Sequence, residues 1–183
     1  MSAPPDIALD EVVVLVGNPR ASSRTSTVAR AVGATLCDDA GPGPRVIEIA
    51  GLRERPGADV TALHEAHEVV RRARLLVVAT PVYKASFTGA LKSFVDGLAP
   101  DALESAVAVP VVLTGSSGHG VLADLQLRTV LQAAGALLPV PSFVLEERHL
   151  DELPQHLDAW RGRFGTAVAA VLRTQRSQEV GVR

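Results

Sequence analysis

EVVVLVGNPRASSRTS, residues 11–26, decides the fold. Residues 11–16 are a β-branched run without polar alternation, which is the pattern of a strand covered on both faces. Gly17 ends that run, and from residue 23 to Cys37 small and apolar residues recur at helical spacing. Outward from this stretch the same alternation repeats. AGPGPR breaks the chain before a second apolar run, RVIEIA, at residues 45–50. Residues 59–72 carry Val60, Leu63, Ala66, Val69 and Val70 on a helical stripe, and RLLVVAT from Arg74 is a third buried strand. A helix over 88–98 places Leu91, Phe94, Val95 and Leu98 on one side, and VPVVLTG from Val109 is the fourth strand. A helix over 122–134, a short strand within LLPVPSFVL (137–145) and a closing helix over 153–172 complete the order.

Buried strands alternating with helices predict an α/β domain with a doubly wound, five-stranded parallel sheet, because right-handed crossovers put helices on both faces. The chain of 183 residues, 47% hydrophobic and only 3% aromatic, fits a single domain over 1–183 with a Val, Leu and Ala core. Residues 1–10 and 174–183 are expected to be flexible tails. A formal net charge of −2 without a basic stripe argues against a nucleic-acid partner. No apolar run approaches the roughly 18 residues of a membrane span. The opening MSAPPDIALDE has acids and prolines where a secretory signal needs a basic start and an apolar stretch, so a cytoplasmic location is expected. The single Cys37 agrees with a reducing compartment.

In such sheets ligands bind beyond the carboxyl ends of the strands, where the strand order reverses. Loops at 17–26, 80–89 and 114–120 leave those ends. The first offers Arg20, Arg24, the hydroxyls of Ser22, Ser23, Thr25 and Ser26, and the N–H groups of a helix start, the mixture a dianionic phosphate needs. Ser and Thr are ordinary helix caps, but four hydroxyls and two arginines exceed what capping requires. Neither the Gly-Lys-Ser/Thr ending of a nucleoside triphosphate loop nor Gly-x-Gly-x-x-Gly is present, which leaves a single terminal phosphate. The second loop holds Tyr83, the only tyrosine, and Phe87, so a flat ring system is expected there. The third, TGSSGHG, presents backbone N–H groups suited to a carbonyl-bearing ring edge.

Other polar residues carry less. His64 and His67 have a metal-compatible spacing but no Cys or third His beside them, and a solvated helix face explains them better. His119 reads as an exposed loop residue, and His149 and His156 as part of a charged tail. Cys37, followed by two acids, lacks the positive surroundings that activate a thiolate. No metal site and no catalytic triad is expected.

VVVLVGNPRASSRTS (12–26) and VVATPVYKASFTGALKSFVDGL (77–98) resemble the NAD(P)H-dependent FMN reductases, especially those serving sulfonate monooxygenases, and the likeness runs from about Val12 to Phe143. The resemblance implies a flavodoxin-like fold with strand order 2-1-3-4-5, non-covalent FMN, NADPH or NADH as hydride donor, and a homodimer or homotetramer. It further implies FMN phosphate contacts at Asn18, Arg20, Ser23, Thr25 and Ser26. Pro81, Val82, Tyr83 and Lys84 then pack on the isoalloxazine, with Gly115, Ser116, Ser117 and Gly118 at its pyrimidine edge. No catalytic side chain is assigned, since hydride transfer needs no general acid or base. Asn18 replaces the Ser of many relatives, and residues 124–128 lack the inserted tyrosine that gives some sulfonate-system reductases a π-bulge. The segment from Phe87 through Phe94 is expected near a contact between copies.

The expected function is thus an NAD(P)H:FMN oxidoreductase supplying reduced flavin to a partner monooxygenase. The alternative is a quinone, azo or metal reductase with tightly bound prosthetic FMN. A flavodoxin-type electron carrier fits less well, because such carriers are strongly acidic and this chain is not. A response-regulator module would need acids where Gly17, Asn18 and Pro19 stand.

Overall fold

Every residue of β1 (Val12–Val16), β3 (Leu75–Pro81) and β4 (Val107–Thr114) is buried. Successive side chains of a strand point to opposite faces, so each of these strands needs cover on both sides. The computed structural model, which describes residues 12–37, 43–53 and 60–181, supplies it. Between those strands lie α1 (Arg24–Leu36), β2 (Arg45–Glu48), α2 (Ile49–Arg53), α3 (Val60–Arg71) and α4 (Gly89–Asp96). After β4 come α5 (Ser117–Ala133), β5 (Phe143–Glu146), a 3-10 turn at Glu147–Glu152 and α6 (Leu153–Gly181). The sheet is parallel with order β2-β1-β3-β4-β5, in the arrangement the sequence predicts.

Val12, Val14, Val16, Val77 and Val109 face α1 and α6, where they pack with Val28, Val32, Trp160 and Leu172. Val13, Leu15, Leu76 and Val78 face the other way, onto Val70, Leu91, Phe94, Leu127 and Leu131. Pro110 stands inside β4, where a missing N–H is costly unless no partner is owed one. Val107 N–H donates to Arg74 and Ala108 N–H to Leu137, so the N–H positions alternate between neighbours. Pro110 therefore faces the β5 side, in the gap between the Val107–Leu137 bridge and the first β5 pair at Val111–Phe143.

Several boundaries differ from the sequence reading. β2 stops at Glu48, and Ile49 and Ala50 open α2 instead of extending the strand. β3 runs through Pro81, paired with Leu113, and β4 starts at Val107 instead of Val109. β5 takes only residues 143–145 of the 137–145 segment and adds Glu146. α5 begins at Ser117 instead of Leu122, taking Gly118, His119 and Gly120 into its first turns. α6 continues to Gly181, so residues 174–181, expected as tail, are helical. Residues 1–10 lie outside the described residues. In the 87–94 segment Leu91 is fully buried, Phe94 is 4% exposed and Phe87 packs on the core, so its apolar side is used within the chain and does not form an exposed contact face.

Candidate functional site

The first loop turns where β1 ends. Gly17 N–H donates to Ala79 O at 2.7 Å, and a Cβ at Gly17 would come 2.7 Å from Leu91 Cβ. Only glycine lets the strand end pass α4 this closely. Asn18 is 7% exposed, and it organises the loop from inside: its Nδ2 donates to Thr25 Oγ1 at 3.1 Å and its Oδ1 accepts from Arg20 N–H at 2.9 Å. Ser23 caps α1, its Oγ accepting from Ser26 N–H at 3.2 Å. The first-turn N–H groups of Arg24 and Thr25 have no acceptor within the helix.

Glu48 comes in from the end of β2, where it pairs in register with Val16. Its carboxylate accepts from Ser22 N–H at 2.8 Å, from Ser26 Oγ at 2.5 Å and from Arg30 at 3.2 Å. Burial pushes the Glu48 carboxyl up, but the bonds from Ser26, Ser22 and Arg30 together outweigh it and hold the group below its ordinary value. Arg24 pairs with Glu147 at 3.0 Å. Arg20 is exposed and meets no acid among the described residues. The sequence marked Ser26 and Thr25 as ligand positions; both are buried, and their hydroxyls already engage Glu48 and Asn18.

In the second loop, Pro81 is buried as the last residue of β3 and Val82 N–H donates to Leu113 O at 3.1 Å. Residues 83–86 then make a tight turn, with Tyr83 N–H on Ser86 O at 2.8 Å and Ser86 N–H on Tyr83 O at 3.1 Å. Lys84 and Ala85 both take left-handed backbone, φ 52° and 60°. That pair defines a type I′ turn, which favours Asn-Gly and strains other residues. The turn leaves Tyr83 47% exposed and Lys84 exposed above the sheet edge. Ser86 Oγ donates to Gln126 of α5 at 2.5 Å. Thr88 Oγ1 caps α4 by accepting from Leu91 N–H and donates to Gly17 O, which ties the first two loops together.

The third loop is short. Thr114 Oγ1 accepts from Ser116 N–H and donates to Ser116 O, setting Ser116 as an extended N-cap without a side-chain cap of its own. Gly115, Ser116, Ser117 and Gly118 are exposed, so the N–H groups offered here are those of a helix start. A Cβ at Gly115 or Gly118 would meet nothing within 4 Å. The chain leaves that space open.

Elsewhere, His67 Nε2 bonds to Phe94 O at 3.0 Å and its ring packs edge-on against Phe94, a structural role that its spacing to His64 does not reveal. His149 and His156 converge with Glu152, their ligand atoms lying within 4.8 Å of one another, because the 3-10 turn brings residue 149 over α6. Arg148 Nε donates to His149 Nε2 at 3.1 Å, which sets a cation beside that cluster. Among the described residues no helix is long and apolar enough to cross a membrane.

Residues 11–150, which hold all three loops, match the family of NADPH-dependent FMN reductases. The chain belongs to that family. This FMN reductase is 36% identical over 150 residues to the NADH-dependent FMN reductase SfnE of Pseudomonas putida, covering 76% of this chain and 79% of the relative. It is 34% identical over 132 residues to an FMN reductase (NADPH) of Pseudomonas putida KT2440, covering 68% and 65%. Among solved structures, an NADH:FMN oxidoreductase (EMOB) in apo form superimposes with a TM-score of 0.67 at 31% identity, over 82% of this chain and 87% of the other. The fold is flavodoxin-like, and the enzyme is an NAD(P)H:flavin oxidoreductase. The residues of the three loops fit FMN on their own terms. Arg20, which meets no acid among the described residues, and helix-start N–H groups flank the first loop, and open space lies beside the N–H groups of the third.

Proposed function

We propose that this reductase binds FMN across the three loops, with the phosphate on the first, the isoalloxazine against the second and the pyrimidine edge on the third. Arg20, the helix-start N–H groups from Ser23 to Thr25 and the loop frame built by Asn18, Thr25 and Ser26 hold the phosphate. Pro81, Val82, Tyr83 and Lys84 border the ring, while the N–H groups of residues 115–118 meet its carbonyl edge. The observation that carries this reading is the Thr88 bond to Gly17 O, which joins the phosphate loop to the ring turn as one unit.

FMN supplies the acceptor for the hydride of NADH or NADPH when bound. The chain's own work is to hold the phosphate, position the ring and set donors at the edge where negative charge gathers. No side chain has to move a proton, and solvent provides it. The likeness of residues 12–26 and 77–98 to sulfonate-system reductases supports delivery of reduced flavin to a partner monooxygenase.

Titration of the protein with FMN, FAD and riboflavin, followed by flavin fluorescence, tests the phosphate hold. FMN is expected to bind best. Arg20→Ala should weaken FMN by about 1.5–3 kcal/mol, the worth of a charge-assisted hydrogen bond, and leave riboflavin unchanged. Equal affinity of the unaltered protein for FMN and riboflavin would exclude a phosphate site on the first loop.

A further inference from the structure

The first loop already contains an anion of its own. Val16 pairs in register with Glu48, so the sheet itself delivers a carboxylate to the side of the loop, where the side chain is 18% exposed. There Glu48 takes the N–H of Ser22 and the hydroxyl proton of Ser26, two donors that a phosphate would otherwise use. Ser26 Oγ also accepts from Arg30 Nε at 3.2 Å, and with its one proton on Glu48 it has none left to give a phosphate. Of the three arginines around the loop, Arg30 is drawn to Glu48 and Arg24 to Glu147, and Arg20 alone meets no acid among the described residues. Arg30 is 54% exposed, so it screens the carboxylate only in part.

We propose that Glu48 sets the affinity for FMN by holding two loop donors and placing a negative charge beside the ligand's phosphate, so that the flavin exchanges as a substrate instead of remaining as a prosthetic group. This rests on the assignment of the phosphate to the first loop. Glu48 braces the loop and weakens it as an anion trap at the same time. A neutral side chain of the same shape keeps one acceptor of the brace, on the Ser22 N–H, and removes the repulsion.

The test compares FMN and riboflavin dissociation constants, by flavin fluorescence, for the unaltered protein, Glu48→Gln and Glu48→Ala. Riboflavin shares the ring but not the phosphate, so its affinity reports whether each variant retains an intact ring site. The expected result is unchanged riboflavin binding and a rise of about tenfold in the preference for FMN in Glu48→Gln, equivalent to about 1.4 kcal/mol. Glu48→Ala should move in the same direction. An unchanged or reduced FMN preference in both variants would overturn the proposal and leave Glu48 as a brace alone. If the unaltered protein already binds both flavins equally, the phosphate assignment itself fails, and the role of Glu48 fails with it.

Discussion

Glu48 joins loop geometry to acid stability at the scale of one residue. Its carboxyl lies below its ordinary value of 4.5, because bonds from Ser26, Ser22 and Arg30 outweigh the burial that would raise it. A carboxyl depressed on folding adds stability above its unfolded value and loses it as the pH falls through the folded value. The melting temperature of the unaltered protein should therefore fall more steeply than that of Glu48→Gln between about pH 5 and pH 3. Parallel curves would mean that the carboxylate gains nothing from its loop partners. At this scale the sequence is half legible. The run of hydroxyls and arginines in residues 17–26 is what leads to the proposed phosphate loop, because few other sites need that mixture. The direction of each hydroxyl is not legible, because it depends on Asn18 and on Glu48, and Glu48 arrives from another strand. The signal that points to it is an acid ending the short strand beside β1.

Among the elements, the turn at 83–86 holds two successive residues in strained backbone. Lys84 and Ala85 occupy left-handed backbone that glycine adopts without cost. Ala85→Gly should raise stability by about 0.5–1 kcal/mol in urea unfolding, since a Cβ at positive φ is disfavoured by more than glycine's extra entropy. A loss of stability would show that Ala85 makes packing contacts that outweigh its backbone strain. Local pattern does not expose this turn, because YKAS carries neither the Asn nor the Gly by which type I′ turns are recognised. The opposite error occurs at α5. The glycines of TGSSGHG read as a loop, yet Gly120 serves close packing inside the helix, where a Cβ would come 2.9 Å from Thr114 Cγ2. Helix propensity disfavours glycine by about 1 kcal/mol, and tertiary contact overrides it here.

For the whole molecule, the sheet is the most legible feature, because strands buried on both faces carry unbroken apolar runs that short connections order almost uniquely. What the runs do not reveal is the outer surface. Phe87, Leu91 and Phe94 turn inward, whereas Val121, Leu122 and Leu125 are exposed on α5, the element that also holds Ser86 through Gln126. A helix that is apolar on its outer face is normally covered. If the expected homodimer or homotetramer buries this face, light scattering at micromolar protein gives more than one chain's mass. Substituting Leu125 with Asp should reduce it, whereas a monomeric unaltered protein would contradict that expectation.

Steady-state oxidation of NADH and NADPH, measured over a range of added FMN and separately of added riboflavin, tests the central claim most directly. If the three loops form an FMN site anchored at the phosphate and open to exchange, turnover rises with added FMN and saturates at lower FMN than riboflavin concentration. Oxidation that proceeds without added flavin, or that saturates at the same concentration of either, would contradict it.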